Sequence, residues 1–165
     1  MSLESGTYII INHQHEGFVS RARIEDRSGL PKPVFVLPVG VQPTGKWRVD
    51  KTSEGKYVLS ALGSPTGYWE RDGTRTLYAF LNGPLDENAR PVDWTIREVD
   101  TTTGRYGYIV ETTLPGGEKV GWSTDDVPTG VFGIHIAVKP LVSTRSEPPQ
   151  FLPSDVFQFE RVKDD

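Results

Sequence analysis

The sequence predicts an all-β chain. Gly and Pro number 17 and 13 of its 165 residues, and the longest stretches free of both are residues 92–103 and 154–165. Both residues penalise helix interiors, so long helices are excluded. Val, Thr and Ile, at 17, 15 and 8, stand against 5 Ala, a balance that suits half-buried pleated strands. The third observation is a self-similarity in which short apolar runs recur three times between Gly, Pro, Asn and Asp punctuation.

Each unit opens on a Tyr-led strand: Gly6-Thr7-Tyr8-Ile9-Ile10-Ile11, Gly55-Lys56-Tyr57-Val58-Leu59 and Gly107-Tyr108-Ile109-Val110, the tyrosines lying 49 and 51 residues apart. A Gly-aromatic step follows at Gly17-Phe18, Gly67-Tyr68 and Gly121-Trp122. The third strands are Val34-Phe35-Val36-Leu37, Leu77-Tyr78-Ala79-Phe80-Leu81 and Ile134-His135-Ile136-Ala137-Val138. The fourth are led by aromatics: Trp47-Arg48-Val49, Trp94-Thr95-Ile96 and Phe157-Gln158-Phe159. Three units of four strands, at approximately 6–50, 55–100 and 106–163, predict a single domain over residues 1–165. The expected architecture is a β-trefoil of twelve strands in three pseudo-threefold repeats, because one such unit cannot bury its aromatic face alone while three can share a core. Tyr8, Tyr57, Tyr108, Trp47 and Trp94 are expected in that core rather than in a binding box.

The function classes narrow by chemistry. The formal charge of −4, with Lys and Arg scattered along the chain, supplies no basic stripe for nucleic acid or anionic membrane. The absence of Cys removes disulfides, thiolate catalysis and Cys-based metal sites. No nucleophile elbow, phosphate loop or His-Glu-x-x-His helix is present. His13-x-His15 places two imidazoles on one strand face but without a third ligand, so no metal and no cofactor are expected. The opening residues carry neither a positive n-region nor an apolar h-region, and no apolar run approaches the ~18 residues of a membrane span. The expectation is a cytoplasmic, monomeric, non-enzymatic chain whose function lies in its loops.

The loop from Arg23 to Pro33 stands out. With the second strand read over Phe18 to Ile24, the chain leaves the sheet at Glu25 and Arg27 stands near the loop apex. Pro31 and Pro33 limit the return limb. A pre-ordered loop presenting Arg27 followed by the small Ser28 fits the groove of a trypsin-like serine protease, where the guanidinium could pair with a carboxylate at the base of the primary pocket. Glu25, Asp26, Gly29 and Leu30 would contact the flanking subsites, and Asn12, at the end of the neighbouring strand, would brace the loop. A second pair, Arg145-Ser146, lies in the long Pro-rich connection of residues 141–153 and ranks behind the first.

Across nearly its whole length the chain also resembles the mushroom β-trefoil serine protease inhibitors called mycospins. The resemblance rests on the opening Met1-Ser2-Leu3-Glu4-Ser5-Gly6-Thr7-Tyr8-Ile9-Ile10, on Glu25-Asp26-Arg27-Ser28 with Pro31-Lys32, on Gly55-Lys56-Tyr57-Val58-Leu59 and on Tyr108-Ile109-Val110-Glu111-Thr112. It implies Arg27 as the specificity residue, Arg27–Ser28 as the reactive bond, and a cytoplasmic protein of fruiting bodies that defends against grazing animals. The opening is shared with the mycocypins, inhibitors of cysteine proteases, for which Leu114-Pro115-Gly116-Gly117-Glu118 would be the corresponding hairpin; a turn using glycines of positive φ is the simpler reading there. A β-trefoil lectin is the alternative of a different class, with Phe18, Tyr68 and Trp122 as the rings to stack on sugar, but the loops around them share no Asp or Asn partners.

Overall fold

Strict alternation of buried and half-exposed residues along Gly6–Asn12 identifies the first strand as one with a single face turned to a core. This computed structural model describes residues 3–163; Met1-Ser2 and the closing Asp164-Asp165 lie outside the described residues. The first unit contains β1 (Gly6–Asn12), β2 (Val19–Arg21), β3 (Lys32–Val36) and β4 (Trp47–Lys51). The second contains β5 (Tyr57–Ala61), β6 (Ser64–Arg71), β7 (Thr74–Ala79), β8 (Ala89–Pro91) and β9 (Thr95–Thr101). The third contains β10 (Tyr106–Thr113), β11 (Lys119–Ser123), β12 (Thr129–Gly130), β13 (Gly133–His135), β14 (Ala137–Lys139), β15 (Gln150–Phe151) and β16 (Phe157–Val162). A single 3-10 turn, Pro153–Asp155, is the one helical element among the described residues. The chain is all-β with a barrel-like sheet.

Six strands form a closed ring. β1 pairs with β4 and with β16, β4 with β5, β9 with β10, and β10 with β16. The ring closes between β5 and β9 through reciprocal backbone bonds of Tyr57 and Trp94, at 2.7 and 2.8 Å. Among the described residues every strand of the ring thus has a neighbour on both sides. Outside the ring, three antiparallel pairs, β2–β3, β6–β7 and β11–β14, are joined to one another by β3–β7, β7–β14 and β13–β3 pairings.

Among the described residues the count of sixteen strands differs from the expected twelve for an identifiable reason. The run Ile134 to Val138 is split at Ile136, because β13 pairs with β3 while β14 pairs with β11 and β7. Three short strands within connections, β8, β12 and β15, supply the rest. The second strand also ends early: β2 stops at Arg21, with all three of its residues buried, so the loop begins at Ala22 and not at Glu25.

Trp122 sits at the centre of the core. Its ring centroid lies 5.6 Å from Trp47, 5.7 Å from Trp94 and 5.5 Å from Phe157, the three residues that lead the fourth strands of the units. All four are buried. Trp47 Nε1 donates to the Val19 carbonyl at 2.7 Å and Trp94 Nε1 to Thr66 Oγ1 at 3.1 Å, whereas Trp122 Nε1 has no hydrogen-bond partner among the described residues. Tyr8 and Tyr57 are buried as expected, but Tyr108 is half-buried, packed edge-on against Phe159 at 5.7 Å.

The recurrent glycine of the Gly-aromatic step has a steric cause. A Cβ at Gly17 would lie 2.0 Å from the Leu37 carbonyl oxygen, and one at Gly67 would lie 1.9 Å from that of Arg90. Backbone passes these positions too closely for any side chain.

Candidate functional site

Residues 22–31 connect β2 to β3 and depart from the tight turn found in the second unit. There β6 and β7 are joined by Asp72 and Gly73, both at positive φ (53° and 78°), the geometry of a two-residue hairpin turn. The longer first-unit connection is held at its base by Arg21. The buried guanidinium forms a fork on Glu25, Nε to Oε2 at 3.0 Å and Nη2 to Oε1 at 2.7 Å, and Nη1 reaches the Ala61 carbonyl at 3.1 Å. Planar two-point pairing of this kind fixes direction as well as distance.

The apex is organised by Lys32, whose side chain is only 4% exposed. A buried ammonium is tolerable when its protons are satisfied. Lys32 Nζ donates to the Asp26 carbonyl at 3.1 Å, to Ser28 Oγ at 3.2 Å and, closest, to Asp26 Oδ1. The same Oδ1 accepts from the Ser28 amide at 3.0 Å and the Ser28 hydroxyl at 2.5 Å, and Ser28 Oγ in turn accepts from the Leu30 amide at 3.3 Å. Asn82 Nδ2 donates to the Gly29 carbonyl at 2.9 Å from the far side. Asp26 and Ser28 are therefore tied to each other and to one buried cation.

Arg27, between them, is exposed and makes no side-chain hydrogen bond or ion pair with the described residues. Ile24 and Leu30, 76% and 53% exposed, stand on either side of it in sequence. Glu25, expected to face a partner's subsite, is turned back onto Arg21, and the Asp26 carboxylate is engaged within the loop. Pro31 is buried at the return limb.

Asn12 is buried elsewhere. Its Nδ2 donates to the Ser154 carbonyl at 3.3 Å and its Oδ1 accepts from the His15 amide at 3.0 Å, so it shapes the β1–β2 turn. The loop's supports are Arg21, Lys32 and Asn82, none of them a candidate on sequence grounds. A four-residue spacing such as that of Arg21 and Glu25 marks a helix face and is no signal in a strand and loop, and Asn82 lies 53 residues from Gly29.

The other candidates separate as follows. Arg145 and Ser146 lie exposed in the connection between β14 and β15. His13 is buried with Nε2 on Gln158 Oε1 at 3.2 Å, and among the described residues no three His, Asp or Glu side chains stand close enough to hold a metal. The Leu114 to Glu118 hairpin is a tight turn with Gly117 at φ 95° and backbone bonds of 2.8 Å from Leu114 to Glu118 and from Gly117 to Leu114. Of the rings proposed to stack on sugar, Trp122 and Tyr68 are buried and Phe18 is half-buried.

Hydrogen bonds from the Lys32 ammonium, the Ser28 hydroxyl and the Ser28 amide lower the Asp26 pKa to about 2. An unfolded Asp titrates at about 3.9. The carboxylate's hold on the loop is thus complete above that pH and is lost as pH falls through about 2. The Ser28 amide resonance should stay constant from neutral pH to about 4 and then shift with a midpoint near 2. A midpoint near 4 would mean that Asp26 does not hold the loop.

The all-β frame thus carries a loop whose arginine is exposed between two residues tied to one buried cation. Residues 1–161 match the family described as peptidase inhibitor I66. A curated relative from Lentinula edodes, named a serine protease inhibitor, is 32% identical over 166 residues, covering 98% of this chain and all of the relative. The solved structure of a proteinase inhibitor from Coprinopsis cinerea has a TM-score of 0.73 at 27% identity, over 98% of this chain and all of that one. The Rhizoctonia solani agglutinin, with a TM-score of 0.61 at 12% identity over 98% of this chain and 99% of its own, shares the fold alone. The chain belongs to the peptidase inhibitor I66 family. It is an inhibitor and not an enzyme, and its partner is a protease.

Proposed function

We propose that the chain inhibits trypsin-like serine proteases by presenting residues 22–31 as a substrate, with Arg27 in the primary specificity pocket and Arg27–Ser28 as the reactive bond. The observation that carries this reading is the pairing of a free, exposed Arg27 with neighbours on both sides held by the buried Lys32. Pre-ordering reduces the entropy lost on binding. It also favours inhibition over cleavage: after attack on the bond, Asp26 on one side and Ser28 on the other stay anchored to the same ammonium, so the new amine remains beside the acyl group and religation competes with hydrolysis. An interface of standard size, on the order of 1,600 Å², is expected for such a complex.

The closed ring of six strands and the three mutually joined antiparallel pairs support a β-trefoil reading of the fold. Within it the chain acts as a cytoplasmic monomer in fungal defence. Inhibition assays against trypsin, chymotrypsin and papain, beside a glycan array, test the assignment. Trypsin alone should be blocked. Papain blocked with trypsin active, or glycan binding with every protease active, would replace it.

Lys32→Met keeps the side-chain length and removes the ammonium. The inhibition constant for trypsin should rise about 10- to 100-fold, and cleavage after Arg27 should accelerate. An unchanged constant would show that the Lys32 network does not order the loop.

A further inference from the structure

A second arginine is framed in the same way as the first. The connection of residues 141–149 is pinned at its base by the Thr144 amide, which donates to the Gln150 carbonyl at 2.8 Å, and by the Gln150 amide, which donates to Thr144 Oγ1 at 2.9 Å. Thr144 Oγ1 and Ser146 Oγ lie 2.6 Å apart, and Ser146 Oγ donates to the Pro148 carbonyl at 2.9 Å. Proton bookkeeping then makes Thr144 the donor to Ser146. The chain of bonds runs from the Gln150 amide through both hydroxyls to Pro148, across Arg145. Pro148 and Pro149 line a shallow groove with Val99, Tyr106 and Phe151, which backs the loop against β9 and the start of β10.

Arg145 itself is exposed and, like Arg27, makes no hydrogen bond or ion pair with the described residues. In both loops the residue before the arginine is hydrogen-bonded through its side chain to the serine after it: Asp26 to Ser28 and Thr144 to Ser146. Exposure alone does not produce this arrangement. Arg23 and Arg105 are exposed too, but their neighbours, Ala22 and Ile24 in one case and Gly104 and Tyr106 in the other, form no such bridge. The two framed loops also rest on different parts of the frame, the first on Ala61 and Asn82 and the second on β9, β10 and β15.

We infer that the chain is two-headed: a second trypsin-like protease is bound through Arg145, with Arg145–Ser146 as its reactive bond, while the first occupies Arg27. This rests on the substrate-like reading of the first loop. The second head is the weaker, because its bridge is made of neutral hydroxyls where the first uses a buried cation and a carboxylate, and charge-assisted bonds are roughly twice as strong. Its inhibition constant should be on the order of 100-fold higher than that of the first head.

Native mass spectrometry of the full chain with saturating trypsin tests this, on wild type, Arg27→Glu, Arg145→Glu and the double variant. The expected stoichiometries are two trypsins for wild type, one for each single variant and none for the double variant. Limited digestion should expose two new N-termini, at Ser28 and Ser146. A wild-type complex with one trypsin that Arg27→Glu abolishes would overturn the second head and leave the first standing. A single trypsin lost in Arg145→Glu but kept in Arg27→Glu would overturn both the Arg27 assignment and the two-headed inference. Two trypsins retained in Arg145→Glu would place the second head elsewhere and overturn it.

Discussion

On an Arg145→Glu background, which silences the second loop, Arg27→Glu should raise the inhibition constant for trypsin by at least 10⁴-fold, about 5.5 kcal/mol. On the proposed reading the substitution removes the cation that enters the primary pocket and sets a carboxylate against the pocket's own, a loss within the ~4–8 kcal/mol seen at dominant interface residues. Thermal stability should not change, within about 0.5 kcal/mol, because Arg27 is exposed and makes no hydrogen bond or ion pair with the described residues. Arg27→Lys should lose far less, since it keeps the charge and gives up only the planar fork. A double-background variant that still inhibits within tenfold of its parent would remove Arg27 from the interface.

Trp122→Ala should lower stability by about 3–5 kcal/mol, the range for truncating a large buried aromatic. For a chain of this size that corresponds to a fall in Tm of roughly 6–20 °C. Trp122 touches the lead aromatic of each unit's fourth strand, Trp47, Trp94 and Phe157, so its loss opens a cavity facing all three units at once. Trp122→Phe should be much milder, because it fills most of the space and removes the unpartnered Nε1–H. Calorimetry on the two variants decides the matter; a fall in Tm of less than about 3 °C for Trp122→Ala would mean that the core does not pivot on this residue.

Much of the frame was legible because its signals are local and repeated. The Tyr-led strands, the Gly-aromatic steps and the aromatic-led strands each recur three times along the sequence, and at Gly17 and Gly67 a neighbouring carbonyl passes within about 2 Å of an added Cβ. The splitting of the Ile134 to Val138 run was not legible, since it depends on which strands it meets on either side. Tyr108 follows the same pattern as Tyr8 and Tyr57 yet stays half-buried, because the repeat is only approximate in its packing.

The loop shows the same division. Its place between the second and third strands and its prolines were readable along the chain. What braces it was not. Asn12, close in sequence order to the second strand, serves the β1–β2 turn, while Asn82 arrives from the second unit. Lys32 reads as an ordinary strand cation between two prolines. Only folding buries its ammonium and turns Asp26 and Ser28 onto it. Strand propensity, turn chemistry and the identity of an exposed side chain are properties of a few neighbouring residues, and the sequence determined these by itself. Which buried charge meets which distant acceptor is set by how the strands close on one another, and the tertiary structure alone decided that.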